Sequence, residues 1–225
     1  MEKIKKRSLS ELVFILDKSG SMSGKEEDVI GGFNSTIKEH KDRDYDVFVT
    51  TVLFSNDLET IHDRIDIKEI NDMTDKDYRT TGCTALIDAM GDTIKHIKDI
   101  HKYQRNKEDV PNHTMFVIMT DGLENASHKY TSDEVKKMVG EQKKEGWEFI
   151  FLGANIDAVE TAKKFSIDEE YAVNFIADKK GIQKSNEYVS KMSRASFCCD
   201  MVMPKQMAKR FKEEAEKDYL ERKNK

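Results

Sequence analysis

An α/β fold, with a doubly wound, mostly parallel sheet and helices on both faces, is predicted by three observations. Short apolar runs rich in β-branched residues alternate with longer segments whose apolar residues recur at helical spacing. Alternation of that kind makes parallel strands joined by crossover helices. Two of the apolar runs stop abruptly at Asp-Lys-Ser-Gly and Asp-Gly, as buried strands do where they empty into loops. Only two prolines occur, and no Pro/Ser/Gly-rich linker interrupts the 225 residues, so a break into two domains has no support.

The elements follow in order. Residues 11–17, ELVFILD, read as the first buried strand. Residues 25–40 place Val29, Ile30, Phe33 and Ile37 on one helical stripe. Residues 46–54, DVFVTTVLF, read as a strand. Ser55, Asn56 and Asp57 make a turn, and residues 59–67 return as an antiparallel strand at a sheet edge. A polar stretch over 68–83 leads to a helix over 85–103, with Leu86, Ala89, Met90, Ile94, Ile97 and Ile100 or His101 on one side. Residues 114–120, TMFVIMT, are another buried strand. Thr131 and Glu134 have capping-box spacing and open a helix to about residue 145, which Gly146 stops. A strand over 147–153, a short helix over 157–165, a last strand over 171–176 and terminal helices over 179–197 and 204–222 complete the chain. The expected domain covers residues 8–203. Residues 204–225 are a charged C-terminal helix whose Met207, Phe211, Ala215 and Tyr219 make a docking seam onto it.

Apolar residues make up 37% and charged residues 36%, so the core must be concentrated in these few runs. A net charge of −5 with both signs interspersed offers neither a basic face for nucleic acid nor an acidic tail. The basic residues 3–7 read as a solvated lead-in. Three cysteines, two of them the neighbours Cys198 and Cys199, give no disulfide framework and point to a reducing compartment. Cys198 and Cys199 are expected as inert core residues, and Cys83 as a small residue in a tight turn. No apolar run reaches the roughly 18 residues that span a bilayer. The early lysines followed by residues 9–16 superficially match a signal peptide. Glu11 interrupts that stretch, no small-residue cleavage site follows and Asp17 ends it, so a cytoplasmic location is expected. His62, His96, His101, His113 and His128 are scattered, without Cys or His partners at zinc spacing, and are expected at surface or structural positions.

In open parallel sheets ligands bind beyond the carboxyl ends of the strands, where the strand order reverses. Three polar segments qualify: Asp17-Lys18-Ser19-Gly20-Ser21, Thr81-Gly82-Cys83-Thr84-Ala85-Leu86 and Thr120-Asp121-Gly122. Taken singly, each has an ordinary reading. The first is a strand-end turn, Thr84 an N-cap for the helix that follows, and Asp121-Gly122 a plain turn. Taken together and in order, D-x-S-x-S, T-G-x-T-A-L and T-D-G resemble the metal-ion-dependent adhesion site of von Willebrand factor type A domains. The resemblance spans roughly residues 11–176 and fills all five ligand positions: Asp17, Ser19, Ser21, Thr84 and Asp121. It implies a six-stranded sheet of order 3-2-1-4-5-6 with one antiparallel edge strand. It also implies a bound Mg²⁺, with Mn²⁺ or Ca²⁺ as alternatives, and a protein partner that offers Asp or Glu to the ion. IFLGAN followed by an Asp-led helix resembles intracellular bacterial and phage members, for which a stress response, a phage function or an ATPase-associated complex are all open.

The residue chemistry agrees. Mg²⁺ favours six oxygens and gives up water reluctantly. Ser19 and Ser21, two apart, can turn both hydroxyls toward one point, Thr84 can bring a third from another loop, and two aspartates balance two positive charges. The alternative reading is a phosphoryl-transfer hydrolase of haloacid dehalogenase-like type, which needs a second acid two residues after the first aspartate. Ser19 holds that place, and a hydroxyl is a poor general acid near neutral pH. The sequence therefore predicts a binding module rather than an enzyme, with nucleic acid and membrane as unlikely partners.

Overall fold

A computed structural model of the chain describes residues 8–43, 45–104, 106, 109–199 and 201–223; the basic lead-in at residues 3–7 lies outside the described residues. The strands are β1 (Leu9–Asp17), β2 (Asp46–Phe54), β3 (Leu58–Asp66), β4 (His113–Thr120), β5 (Glu148–Ala154) and β6 (Ala172–Phe175). The helices are α1 (Glu26–Lys41), α2 (Leu86–Tyr103), α3 (Ser132–Lys144), α4 (Ala158–Lys164), α5 (Lys179–Cys199) and α6 (Lys205–Lys223). One six-stranded sheet runs β3-β2-β1-β4-β5-β6, parallel throughout except for the β2–β3 hairpin.

β1 is the central strand. Val13 stands opposite Thr50 of β2 and Phe116 of β4, and Leu12, Val13, Phe14, Ile15 and Leu16 are all buried. Side chains alternate between faces along a strand, so burial of consecutive residues means that both faces of β1 are covered. α1 packs on α5 and α2 packs on α3. After β1 the chain builds outward to β2 and β3, then crosses back to add β4 on the other side. The strand order therefore reverses between β1 and β4, and the carboxyl ends of these two neighbours, Asp17 and Thr120, open the crevice where the loops gather.

Local chemistry sets the boundaries. Thr131 and Glu134 form the reciprocal capping box at the start of α3, and Gly146 beyond its end has φ +88°. His40 at the end of α1 is buried against α5, with Nδ1 2.6 Å from Tyr45 Oη and Nε2 2.8 Å from Ser193 Oγ. Desolvation lowers its pKa to about 4, so the ring is neutral at physiological pH.

Several sequence expectations need correction. Cys198 and Cys199 are exposed, because the buried stripe of α5 runs through Val189, Met192, Ser193, Ser196 and Phe197 and the helical period carries the cysteines off it. Met207 is 44% exposed; Ala208 takes the buried place, and Phe211, Ala215 and Tyr219 are the half-buried remainder of the α6 seam. β3 ends at Asp66 rather than residue 67, and within the polar stretch that follows Ile70, Met73 and Tyr78 return to the core. Among the described residues, no helix is long and apolar enough to cross a membrane.

Candidate metal centre

The first loop leaves β1 through Asp17, which is fully buried. Its Oδ1 accepts the Ser19 N–H at 2.7 Å and its Oδ2 accepts the Thr120 hydroxyl at 2.5 Å. Its backbone carbonyl accepts the hydroxyl of Tyr78, one of the largest fully buried side chains. A single turn of 3₁₀-helix, Gly20–Met22, then brings Ser19 Oγ and Ser21 Oγ to 3.1 Å from each other, while the buried Met22 pins the turn to the core. Lys18 N–H donates to Phe54 O at 2.7 Å and Thr81 N–H to Lys18 O at 2.7 Å, so the loop is clamped between the end of β2 and the second loop.

The second loop turns at Gly82, with φ +78°, where a Cβ would strike Asn56 Oδ1 at 2.2 Å. The same Asn56 Oδ1 accepts the Cys83 N–H at 2.8 Å. Thr84 follows and is buried, but it does not cap α2. Ala85 holds the N-cap position and makes no side-chain cap. Glu124 does that work from the third loop, accepting the Ile87 N–H at 2.8 Å. The Thr84 hydroxyl is thereby left for the rim.

The third loop leaves β4 through Thr120 and Asp121, whose Oδ1 accepts the Ser21 hydroxyl at 2.5 Å and whose Oδ2 accepts the ammonium of Lys25. A Cβ on Gly122 would lie 2.9 Å from Thr84 Oγ1, so a larger residue would push on the Thr84 hydroxyl, and Ser21 Oγ lies at ordinary contact distance, 3.5 Å. Asn125 staples it to the second loop, accepting the Thr84 N–H at 2.9 Å and donating its own N–H to Thr84 O at 3.1 Å. Farther along, Asp88 of α2 accepts the N–H groups of His128, Lys129 and Tyr130. Burial raises the Asp88 pKa, but these three donors outweigh it and hold the carboxyl below its usual range.

The five residues singled out by the sequence thus share one rim, and the donor set suits a hard cation. Three hydroxyls and two carboxylates surround it, with Asp17, Ser19, Thr84 and Asp121 buried and Ser21 exposed. Asp17 supplies the sharpest test of fit. No ion pair reaches it among the described residues, and desolvation raises its pKa against the hydrogen bonds from Ser19 and Thr120, with the charge of Asp121 adding to the rise. A cation between the two carboxylates would relieve both penalties. No cluster of three or more His, Cys, Asp or Glu suited to a metal stands among the described residues. Ser19 beside Asp17 also leaves the phosphoryl-transfer alternative without support.

Sequence reading missed Tyr78, Asn125, Glu124, Asp88 and Lys25. Of these, Lys25 was the nearest to visible, four residues after Ser21 and one before α1. The histidines are structural or superficial: His101 pairs with Glu11, His96 with Asp63, and His62 stacks on Phe33.

The sequence model of the von Willebrand factor type A domain matches residues 11–188. No curated protein matches the sequence. Among solved structures, the pilus adhesin SpaC from Lactobacillus rhamnosus GG superposes with a TM-score of 0.62 at 12% identity, over 82% of this chain and 30% of that one. The von Willebrand factor domain of the type V pili tip protein Mfa5 from Porphyromonas gingivalis gives 0.59 at 10% identity, over 85% and 97% of the two chains. Proximal thread matrix protein 1 from the mussel byssus, with a zinc-occupied adhesion-site motif, gives 0.55 at 14% identity, over 85% and 47%. The chain spans about half the length of the mussel proteins it matches. At these identities the likeness is one of fold.

Proposed function

The chain belongs to the von Willebrand factor type A domain family, and on that premise we propose that it is a Mg²⁺-dependent protein-binding module and not an enzyme. Asp17, Ser19, Ser21, Thr84 and Asp121 hold the ion, with Mn²⁺ or Ca²⁺ as substitutes. The observation that carries this reading is the buried Asp17 carboxylate, which no ion pair reaches among the described residues, set beside three hydroxyls and Asp121 on one rim. When bound, the ion supplies a positive centre that accepts a carboxylate oxygen from outside in exchange for water. The residues do the rest. Asp17 and Asp121 bring two negative charges, the neutral hydroxyls leave the ion electrophilic, and Ser21 keeps the centre open to solvent. Leu123, 64% exposed one residue past Gly122, offers an apolar contact beside it. The partner is a protein presenting Asp or Glu, alone or within an ATPase-associated or other complex. Three cysteines without a disulfide framework favour a reducing compartment such as the cytoplasm, and neither a membrane nor nucleic acid is required. Residues 8–203 are the module, with α6 as an appended helix.

The test has two parts. Isothermal titration should show one Mg²⁺ or Mn²⁺ per chain, lost in Asp17→Ala and Asp121→Ala. A pull-down from the native host should capture a partner that EDTA and Ser21→Ala release, with Ser21→Ala still folded. A partner held equally well in EDTA and by Ser21→Ala and Thr84→Ala variants would place the interaction elsewhere.

A further inference from the structure

We propose that Lys25 is a tethered cation that competes with the divalent ion for Asp121 and so sets the metal affinity of this centre. The inference rests on the metal-centre reading above and adds a regulator belonging to this chain's own sequence.

Lys25 is misplaced for the helix it precedes. It occupies the N-cap of α1 and makes no side-chain cap. A lysine there has no oxygen to offer the orphan N–H groups, and its charge opposes the positive end of the helix dipole. The first turn otherwise follows the rule, with Glu26, Glu27 and Asp28. The ammonium does not escape into water either. The side chain is only 17% exposed and folds back to donate to Ser21 O at 2.5 Å and to Asp121 Oδ2.

The carboxylate it meets is a proposed metal ligand whose side chain is 1% exposed. Ser21, another proposed ligand, occupies the second oxygen of that carboxylate through its hydroxyl and contacts the ammonium through its carbonyl. Lys25 thus reaches two of the three loops, and at Asp121 it takes a carboxylate oxygen that a divalent ion would draw on. Two cations drawing closely on Asp121, whose side chain is 1% exposed, repel each other with little water between them. Binding the ion requires the ammonium to withdraw, and the lost Lys25–Asp121 pair is subtracted from the binding free energy. One partner of this pair is shielded from water, so its attraction is screened less than that of a surface pair. The expected consequence is a site of moderated affinity, filled at high divalent-ion concentration and held together by Lys25 at low concentration.

Lys25→Met, which keeps the stem and removes the charge, and Lys25→Arg, which keeps the charge, test this by titration with MgCl₂ and MnCl₂ and by thermal melting in EDTA. Lys25→Met should bind either ion about tenfold more tightly, the equivalent of about 1.4 kcal/mol. It should also melt lower than wild type in EDTA, while Lys25→Arg stays near wild type in both measurements. If the wild type binds metal and Lys25→Met binds within twofold of it, or more weakly, the competition is refuted and the metal centre stands. If neither protein binds Mg²⁺ or Mn²⁺, the metal reading itself fails and this inference with it. Should Lys25→Met fold poorly, Lys25→Gln makes the same comparison with a polar side chain.

Discussion

β1 carries a fully buried carboxylate near each end, Glu11 at the amino end and Asp17 at the carboxyl end, and the fold treats them in opposite ways. Glu11 is given a cation, Arg64, and a histidine partner. Its Oε1 lies 2.8 Å from Arg64 Nε, an off-axis approach that is an ion pair more than a hydrogen bond, and its Oε2 lies 2.6 Å from His101 Nε2. Arg64 reaches it across the Phe48 ring, 4.8 Å from the centroid, out of a strand bent by two register shifts and its own φ of +50°. Asp17 is given only neutral donors, from Ser19 and Thr120, and burial pushes its pKa up. A carboxylate that the fold has already paired is part of the architecture. One that is buried, hydrogen-bonded and left without a cation, at a switch point open to solvent through Ser21, is arranged to receive one.

The largest effect expected from this contrast is at Glu11. Glu11→Gln leaves the Arg64 side chain, 9% exposed, without its counter-charge, and breaking a buried pair from one side costs about 3–5 kcal/mol. Urea unfolding should show that loss, while the Mg²⁺ affinity of the folded fraction stays at the wild-type value. A loss below about 1 kcal/mol would show that Glu11 and Asp17 are not different in kind.

Asp17→Asn should reverse the pattern. The amide oxygen can still accept the Ser19 N–H, and the Thr120 hydroxyl is free to turn to Gly122 O, 3.2 Å away. Removing a charge that burial already disfavours should therefore leave stability in EDTA within about 1 kcal/mol of wild type. What should vanish is the stabilisation by metal, about 2.7 kcal/mol at a hundredfold excess over Kd in the wild type. A melt in EDTA and in excess Mg²⁺ reads both quantities. A variant that is badly destabilised in EDTA, or still stabilised by Mg²⁺, would break the contrast.

The two ends of β1 also differ in how far they can be read from sequence. At the carboxyl end, Asp17, Ser19 and Ser21 are local to one loop. Thr84 and Asp121 come with short motifs of their own, so a one-dimensional scan brings together the residues that share the rim. The sheet class was equally legible in the alternation of strand-like and helical segments, while the strand order was implied by the family resemblance. At the amino end no motif links Glu11 to His101, 90 residues away, or to Arg64, and a lone acid in an apolar run reads only as a strand boundary. The supports of the rim were hidden for the same reason. Tyr78 reaches Asp17 from an aperiodic stretch, and Glu124 caps a helix that begins 38 residues before it, which no local motif announces. Lys25 belongs to a helix start that lysine disfavours, and only the fold shows where its charge goes.

The smallest effect sharpens the comparison by adding a third carboxylate. Glu148, at the start of β5, is 4% exposed and resembles Asp17 in its surroundings. It accepts the Ser196 hydroxyl at 2.5 Å and the Met203 N–H at 2.9 Å, and no ion pair reaches it among the described residues. Burial raises its pKa against those hydrogen bonds and against the charge of nearby His113, where Asp17 instead faces the like charge of Asp121. It differs from Asp17 in having no rim of hydroxyls and no open loop, so nothing nearby would hold a cation for it. Glu148→Gln should therefore gain stability, by up to about 1 kcal/mol at pH 7. The amide oxygen keeps the Met203 N–H, the amide nitrogen donates to Ser196 Oγ, and the Ser196 hydroxyl turns to Met201 O at 3.0 Å. The pH dependence follows from the direction of the shift. With its folded-state pKa above the unfolded value, Glu148 in the wild type takes up its proton on acidification before the unfolded chain does. The wild type thus recovers stability as pH falls through that folded-state pKa, and the advantage of the variant shrinks. His40 acts in the opposite sense, its contribution being complete above about pH 6.5 and lost as pH falls toward about 4, but it is common to both proteins and cancels in their difference. Urea unfolding of the pair at pH 7 and pH 5 measures that difference. A variant less stable than wild type at pH 7 by more than about 1 kcal/mol would mean that a buried carboxylate without a cation can be an asset in its own right. Asp17 would then no longer stand out as a ligand in waiting on the ground of its burial alone.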